Sequence, residues 1–228
     1  MPGTLKNIVE RNTLLAALAR RRRNKRLKDK YSKWKQAGSV LPMPRFGKQE
    51  AVRECAQKYK PTIFVETGTY NGDMVYAMQP HFEEIYSIEL GENFFRKARK
   101  RFAGFPNVHI VHGQSGEVLP EIMKSITQPC LFWLDAHYSG GLTAKAELET
   151  PIMQELNCIL AHQMAEEHIL LIDDARCFTG KNDYPVLREL EEFILRARPN
   201  WIFEVKADII KAHSGSLSKP DSMRKNRK

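Results

Sequence analysis

Five apolar runs, each followed by a segment with helical spacing, constrain this chain more than any other feature. TIFVET (62–67) precedes a helix near 72–79, EIYSIEL (84–90) precedes ENFFRKARKRF, and NVHIVHG (107–113) precedes a helix near 115–125. PCLFWLDAH (129–137) precedes a helix near 145–163, and HILLIDDA (168–175) one near 184–198. Strands that are apolar almost throughout, and not on alternate residues, are buried on both faces. A parallel sheet with helices on either side provides that burial. A last segment, WIFEVKADIIKAH (201–213), reads as a strand pair turning about Lys206 and Ala207, which fits an antiparallel edge. The expected fold class is therefore α/β: a doubly wound, mostly parallel seven-stranded sheet with an antiparallel edge hairpin.

The ends of the chain differ in character from this middle. Residues 1–37 carry 12 Lys/Arg against 2 Asp/Glu, residues 219–228 carry 5 against 1, and residues 38–218 carry 19 against 24. The overall +9 thus belongs to the tails, and the domain between them is mildly acidic. Residues 5–36 read as one helix, with Ile8, Leu14, Leu15, Leu18 and Leu27 at loose three-and-four spacing and ten basic residues between 20 and 35. GSVLPMPRFG (38–47) reads as a linker. The expected organisation is a basic helical arm at 1–37, one domain at 38–213 and a disordered basic tail at 214–228.

Several classes are set aside by composition. No run reaches the roughly 18–20 apolar residues that span a bilayer. The opening segment has its apolar patch ahead of its charges, the reverse of a secretory signal. Cys55, Cys130, Cys158 and Cys177 have no CxxC spacing, and three lie in or beside apolar runs. They read as reduced core residues of a cytoplasmic protein.

The stretch FVETGTYNGDM (64–74) ends the first strand in a turn framed by Gly68 and Gly72 and opens a helix. In a doubly wound sheet, ligands bind at the carboxyl ends of the strands near the switch in strand order, and a glycine there lets backbone approach the ligand. Thr69, Tyr70 and Asn71 fill the gap, so GxGxxG is not met, and no Gly-Lys-Ser/Thr follows to make a P-loop. What remains is E-x-G-x-x-x-G with Glu89 ending the second strand, about 20 residues on, where an acid accepts hydrogen bonds from ribose hydroxyls.

This combination resembles the S-adenosylmethionine (SAM) site of class I methyltransferases. VETGTYNGD, YSIEL, HGQSGEVLPEI, FWLDAH and LLIDDAR follow the order and spacing of the metal-dependent O-methyltransferases, the group of the catechol, caffeoyl-coenzyme A and macrolide-sugar enzymes. FWLDAHYSGG followed by LLIDDAR is similar to a little-studied bacterial branch of that group. The resemblance covers about residues 60–213 and neither tail. It implies a Rossmann-like methyltransferase fold, with Glu66, Gly68, Tyr70 and Gly72 along the methionine and ribose part of SAM. It further implies Glu89 on the ribose hydroxyls, and Gln114 and Ser115 near the adenine. A polar N-cap for the following helix accounts equally for the last two.

Asp135 closes the fourth strand and Asp173–Asp174 the fifth, so three carboxylates meet at one rim. Packed together they repel unless a cation sits among them, and such hard oxygen ligands suit Mg²⁺ or another divalent cation. The resemblance places its divalent metal on Asp135, Asp173 and Asp174, with Asp135 also bordering the cofactor. The alternative is that an Asp caps the next turn and Arg176 pairs with its neighbour.

Methyl transfer to oxygen needs a hydroxyl held in line and relieved of its proton. His137, two residues beyond Asp135, is the candidate base, and with Asp135 forms the expected catalytic pair. Tyr138 stands where the catechol enzymes carry a lysine, so that base does not carry over. YSGGLTAKAE (138–147) reads as a substrate lid. The expected acceptor is a hydroxyl of a small molecule or sugar. The basic arm is a candidate contact for nucleic acid or for an anionic membrane surface, which would make a cytoplasmic enzyme peripheral to the membrane, and self-association into a homo-oligomer is compatible with it. The competing reading is a nucleic-acid-binding protein or RNA methyltransferase; against it stand the acidic domain and LDAH in place of an Asp/Asn-Pro-Pro-aromatic motif.

Overall fold

The apolar runs all become strands of one sheet. The computed structural model describes residues 21–22, 25–135 and 150–218. The strands are β1 (Ile63–Thr67), β2 (Glu84–Glu89), β3 (Val108–His112), β4 (Cys130–Leu134), β5 (Ile169–Ile172), β6 (Trp201–Lys206) and β7 (Ile209–Ser214). The helices are α1 (Arg45–Tyr59), α2 (Asp73–Met78), α3 (Glu92–Phe102), α4 (Ser115–Ser125), α5 (Ile152–Ala161) and α6 (Leu187–Ala197). Strand order is β3-β2-β1-β4-β5-β7-β6, parallel from β3 to β5 and antiparallel at β7 and β6. This is the doubly wound sheet with an edge hairpin expected from the sequence.

Burial follows position in the sheet. Every residue of β1, β4 and β5 is buried, whereas β3 and β6, at the two edges, are largely half-exposed or exposed. One face of the sheet, with Val65, Phe132, Leu134, Leu170 and Ile172, packs on Leu119 and Ile122 of α4, Leu156 and Ile159 of α5 and Leu190 and Ile194 of α6. Trp133 is fully buried, a core residue. Each such large side chain contributes roughly 1.5–3 kcal/mol by burial. The chain runs outward through β1, β2 and β3, then returns to place β4 on the other side of β1. The switch in strand order therefore lies between β1 and β4, where ligands bind in such sheets.

The chain divides into two compact units, Met1–Glu50 and Ala51–Lys228. In the first, residues 25–36 are helical. The linker read at 38–47 is shorter than expected, because α1 starts at Arg45. The sequence gives little sign of that helix: its large buried apolar residues are Val52, Cys55 and Tyr59, and polar residues, the buried Gln49 among them, interrupt the stripe. At the other end β7 runs through Ser214 into a 3-10 turn at Gly215–Ser218, past the boundary drawn at 213. The four cysteines are free, and burial raises the Cys55 thiol to about 11. No helix among the described residues is long and apolar enough to cross a membrane.

Candidate cofactor and metal site

The turn after β1 is built around left-handed backbone. Gly68, Tyr70 and Gly72 have φ of 90°, 48° and 67°. A Cβ on Gly72 would stand 2.6 Å from the buried Phe102 ring, so glycine is required there by both conformation and space. The turn is pinned to β2: the Gly68 and Thr69 amides donate to the Ile88 carbonyl at 2.9 and 3.2 Å. Glu89 is clasped from both loops, its Oε2 accepting from the Tyr70 amide and its Oε1 from the Gly91 amide, each at 2.7 Å. Its carboxylate plane is thereby fixed at the rim, while the Tyr70 ring, 4.8 Å from that of Phe94, is partly exposed.

Glu66 lies deeper. It is buried and accepts from the Ser87 hydroxyl at 2.5 Å, and Thr69 in turn is 2.6 Å from Ser87. Burial pushes its pKa well above the usual carboxylate range, partly offset by the Ser87 hydroxyl and reinforced by the charges of Asp135, Glu89 and Asp73.

Gln114 and Ser115 start α4. The Gln114 side chain accepts from the Glu117 amide at 3.1 Å, which makes it the N-cap that the sequence allowed. Ser115 is buried and turned inward, donating to Glu155 on α5 at 2.5 Å.

Asp135, Asp173 and Asp174 do converge, each offering an oxygen within 4.8 Å of the others. The β4 and β5 ends are locked in register: the Asp135 amide donates to the Thr67 carbonyl at 3.1 Å and the Asp173 amide to the Leu134 carbonyl at 3.0 Å. Asp174 has φ 56°, which folds the chain back so that its amide donates to Asp173 Oδ1 at 2.8 Å and two successive carboxylates serve one spot. Arg176 donates to Asp174 at 2.8 Å and also to Asp208, the buried tip residue of the β6–β7 hairpin. The Arg176 pairing therefore exists, and it engages Asp174 of the cluster together with Asp208. Two oxygens on opposite sides of a cation are about 4.2 Å apart for Mg²⁺ and about 4.8 Å for Ca²⁺, so this all-oxygen donor set fits a hard divalent cation.

Beside the cluster is a recess lined by Leu134, Asp135, Thr150, Ile152, Glu155, Ile172, Asp173, Phe178 and Tyr184. Glu155 and Tyr184 were not anticipated. Burial raises the Glu155 pKa to about 7, against hydrogen bonds from Ser115 and Thr67 and reinforced by the Asp135 charge. Its signal was present in the sequence: a lone acid inside the apolar stripe Ile152, Leu156, Ile159. Tyr184 packs edge-on to Phe178 at 5.1 Å, in a loop with no periodicity to announce it. His137 and the lid at 138–147 lie outside the described residues.

The sequence matches no protein-family profile and no curated protein. Solved structures share the fold. The SAH-bound methyltransferase PaMTH1 of Podospora anserina aligns at TM-score 0.56 and 16% identity, over 79% of this chain and 85% of that one. The O-methyltransferase TomG of Streptomyces achromogenes, involved in tomaymycin synthesis and in complex with SAM, aligns at 0.54 and 16%, over 82% and 87%. An O-methyltransferase of Bacillus cereus in complex with SAH aligns at 0.51 and 13%, over 82% and 90%. The chain has the Rossmann-like methyltransferase fold.

Proposed function

We propose that this protein is a SAM-dependent methyltransferase that methylates a hydroxyl oxygen of a small molecule or sugar with the help of a divalent cation. One observation carries the reading: the clasped Glu89, the glycine turn after β1 and the three-aspartate cluster all stand on the carboxyl rim of one sheet, at its switch point. Structural neighbours in complex with SAM or SAH support the cofactor.

In this reading Glu89, held by the Tyr70 and Gly91 amides, accepts the two ribose hydroxyls. Gly68, Tyr70 and Gly72 would shape the turn against the cofactor, and Glu66 would line its methionine and ribose part. Gln114 and Ser115 would stand near the adenine. Asp135, Asp173 and Asp174 would hold the cation, which would offer the acceptor oxygen an anchor beside the cofactor turn. SAM supplies an electrophilic methyl group, and the cation a Lewis acid that makes a hydroxyl more acidic. Methyl transfer would form the C–O bond as the methyl–sulfur bond breaks and S-adenosylhomocysteine leaves, and His137 would take the acceptor proton.

Calorimetric titration of S-adenosylhomocysteine into wild type and Glu89→Ala tests the cofactor site. Micromolar binding lost in Glu89→Ala supports it, and no binding to wild type overturns the methyltransferase reading. A parallel Mg²⁺ and Mn²⁺ titration tests the cation. Binding that vanishes in Asp173→Ala supports it, and binding retained in that variant removes the aspartate cluster as its site.

A further inference from the structure

The first unit carries a surface outside the candidate site. Its helical stretch 25–36 holds six Lys/Arg against Asp29. At 3.6 residues per turn Leu27, Tyr31 and Trp34 share one stripe, with Arg26 and Lys30 on one flank and Lys28 and Lys35 on the other. The stripe is half-buried, because the chain after the helix folds back over it. Tyr31 stacks on Trp34 at 5.6 Å and meets Phe46 at 5.7 Å, and the Trp34 indole N–H donates to the Val40 carbonyl. Lys35 lies 4.4 Å over the Tyr31 ring and Lys28 5.7 Å over Phe46.

That hydrogen bond pins an apolar tip beside the cations. Val40 is 70% exposed and Leu41 44% exposed, adjacent in sequence and with charged flanks on either side of the stripe beneath them. The pair stands in the turn after the helix, so an exposed apolar tip follows directly on a basic helical face.

We infer that this helix and the Val40–Leu41 tip form a contact for an anionic membrane surface, the cations meeting lipid headgroups and the tip entering the headgroup–acyl boundary. Lasting association with a membrane takes two signals, and charge plus a small apolar insertion supplies both. The aromatic rings argue against single-stranded nucleic acid as the partner. Bases stack on open aromatic faces, and Tyr31 and Trp34 are spent on each other and on the returning chain, whereas the exposed groups are aliphatic.

The full-length protein is sedimented with vesicles of phosphatidylcholine alone and of phosphatidylcholine with phosphatidylserine in a two-to-one ratio. The expected result is capture by the mixed vesicles only, weakened by salt. Arg26→Gln/Lys30→Gln lowers that affinity on the order of tenfold. Val40→Asp/Leu41→Asp abolishes it at physiological salt. Equal capture by both vesicle types, or unchanged capture of the Val40→Asp/Leu41→Asp variant, overturns the inference. So does tight binding of a labelled single-stranded RNA with no vesicle capture, which assigns the surface to nucleic acid.

Discussion

Two buried titratable side chains, His168 and Glu155, respond to acid in opposite directions. His168 accepts the Cys130 amide on Nδ1 at 3.1 Å, so its proton sits on Nε2, 2.9 Å from His162 Nδ1. Burial first, and then the His162 charge, lower its pKa from 6.5 to about 3. The unfolded chain takes up a proton that the folded one refuses, so this contribution is complete above pH 6.5 and is lost as pH falls towards 3. Glu155, raised to about 7, behaves inversely: the folded state gains a proton between 4.5 and 7, and the contribution present at low pH is lost as pH rises through 7. Urea unfolding across pH 4–8 with chelator present separates the two. His168→Gln is expected to flatten the acid-side loss of stability, and Glu155→Gln the loss on the way to pH 7. An unchanged pH profile in both variants contradicts the assignment. Glu155 was legible in hindsight as an acid in an apolar stripe, whereas nothing local to His168 distinguishes it from an exposed histidine.

Among the elements, the β6–β7 hairpin turns through Ala207 and Asp208, with φ of 50° and 75°. Such a two-residue turn favours Asn-Gly, and alanine in left-handed backbone costs about 1 kcal/mol or more. Ala207→Gly is therefore expected to raise the thermal midpoint by a few degrees. Asp208 tolerates its conformation because it has work there: its side chain accepts from both the Arg176 amide, at 3.0 Å, and the guanidinium. The hairpin thus braces the turn that carries Asp173 and Asp174. Removing the Arg176 guanidinium takes one partner from the buried Asp208, which keeps the amide of residue 176, so Arg176→Ala is expected to cost about 1–3 kcal/mol, and Arg176→Ala/Asp208→Asn distinctly less than the sum of the single changes. Chemical denaturation of the three variants reads this, and additive costs would mean the pair is not coupled. The β1–α2 turn gives a sharper case: Gly72→Ala forces both an unfavourable φ and a displaced Phe102, and is expected to cost roughly 2 kcal/mol or more.

For the molecule as a whole, every described residue of the candidate site lies between Glu66 and Tyr184, within the unit Ala51–Lys228. A chain starting at residue 38 is therefore expected to fold and to bind S-adenosylhomocysteine with unchanged affinity, although its net charge falls from +9 to −1. Loss of cofactor binding on that truncation would tie the arm to the site. By itself the sequence determined the sheet, because apolar runs of strand length with helical segments between them have few other ways to bury both faces. It also determined which acids end which strands, and hence that Glu89, Asp135, Asp173 and Asp174 share a rim. Only the tertiary structure decided what those acids meet. Ser115 turns to Glu155 across 40 positions, and Arg176 reaches Asp208 across 32. Strand length and periodicity are local properties that a window of residues records. The partner of a buried polar group is set by which elements pack together, and no window contains both ends of that choice.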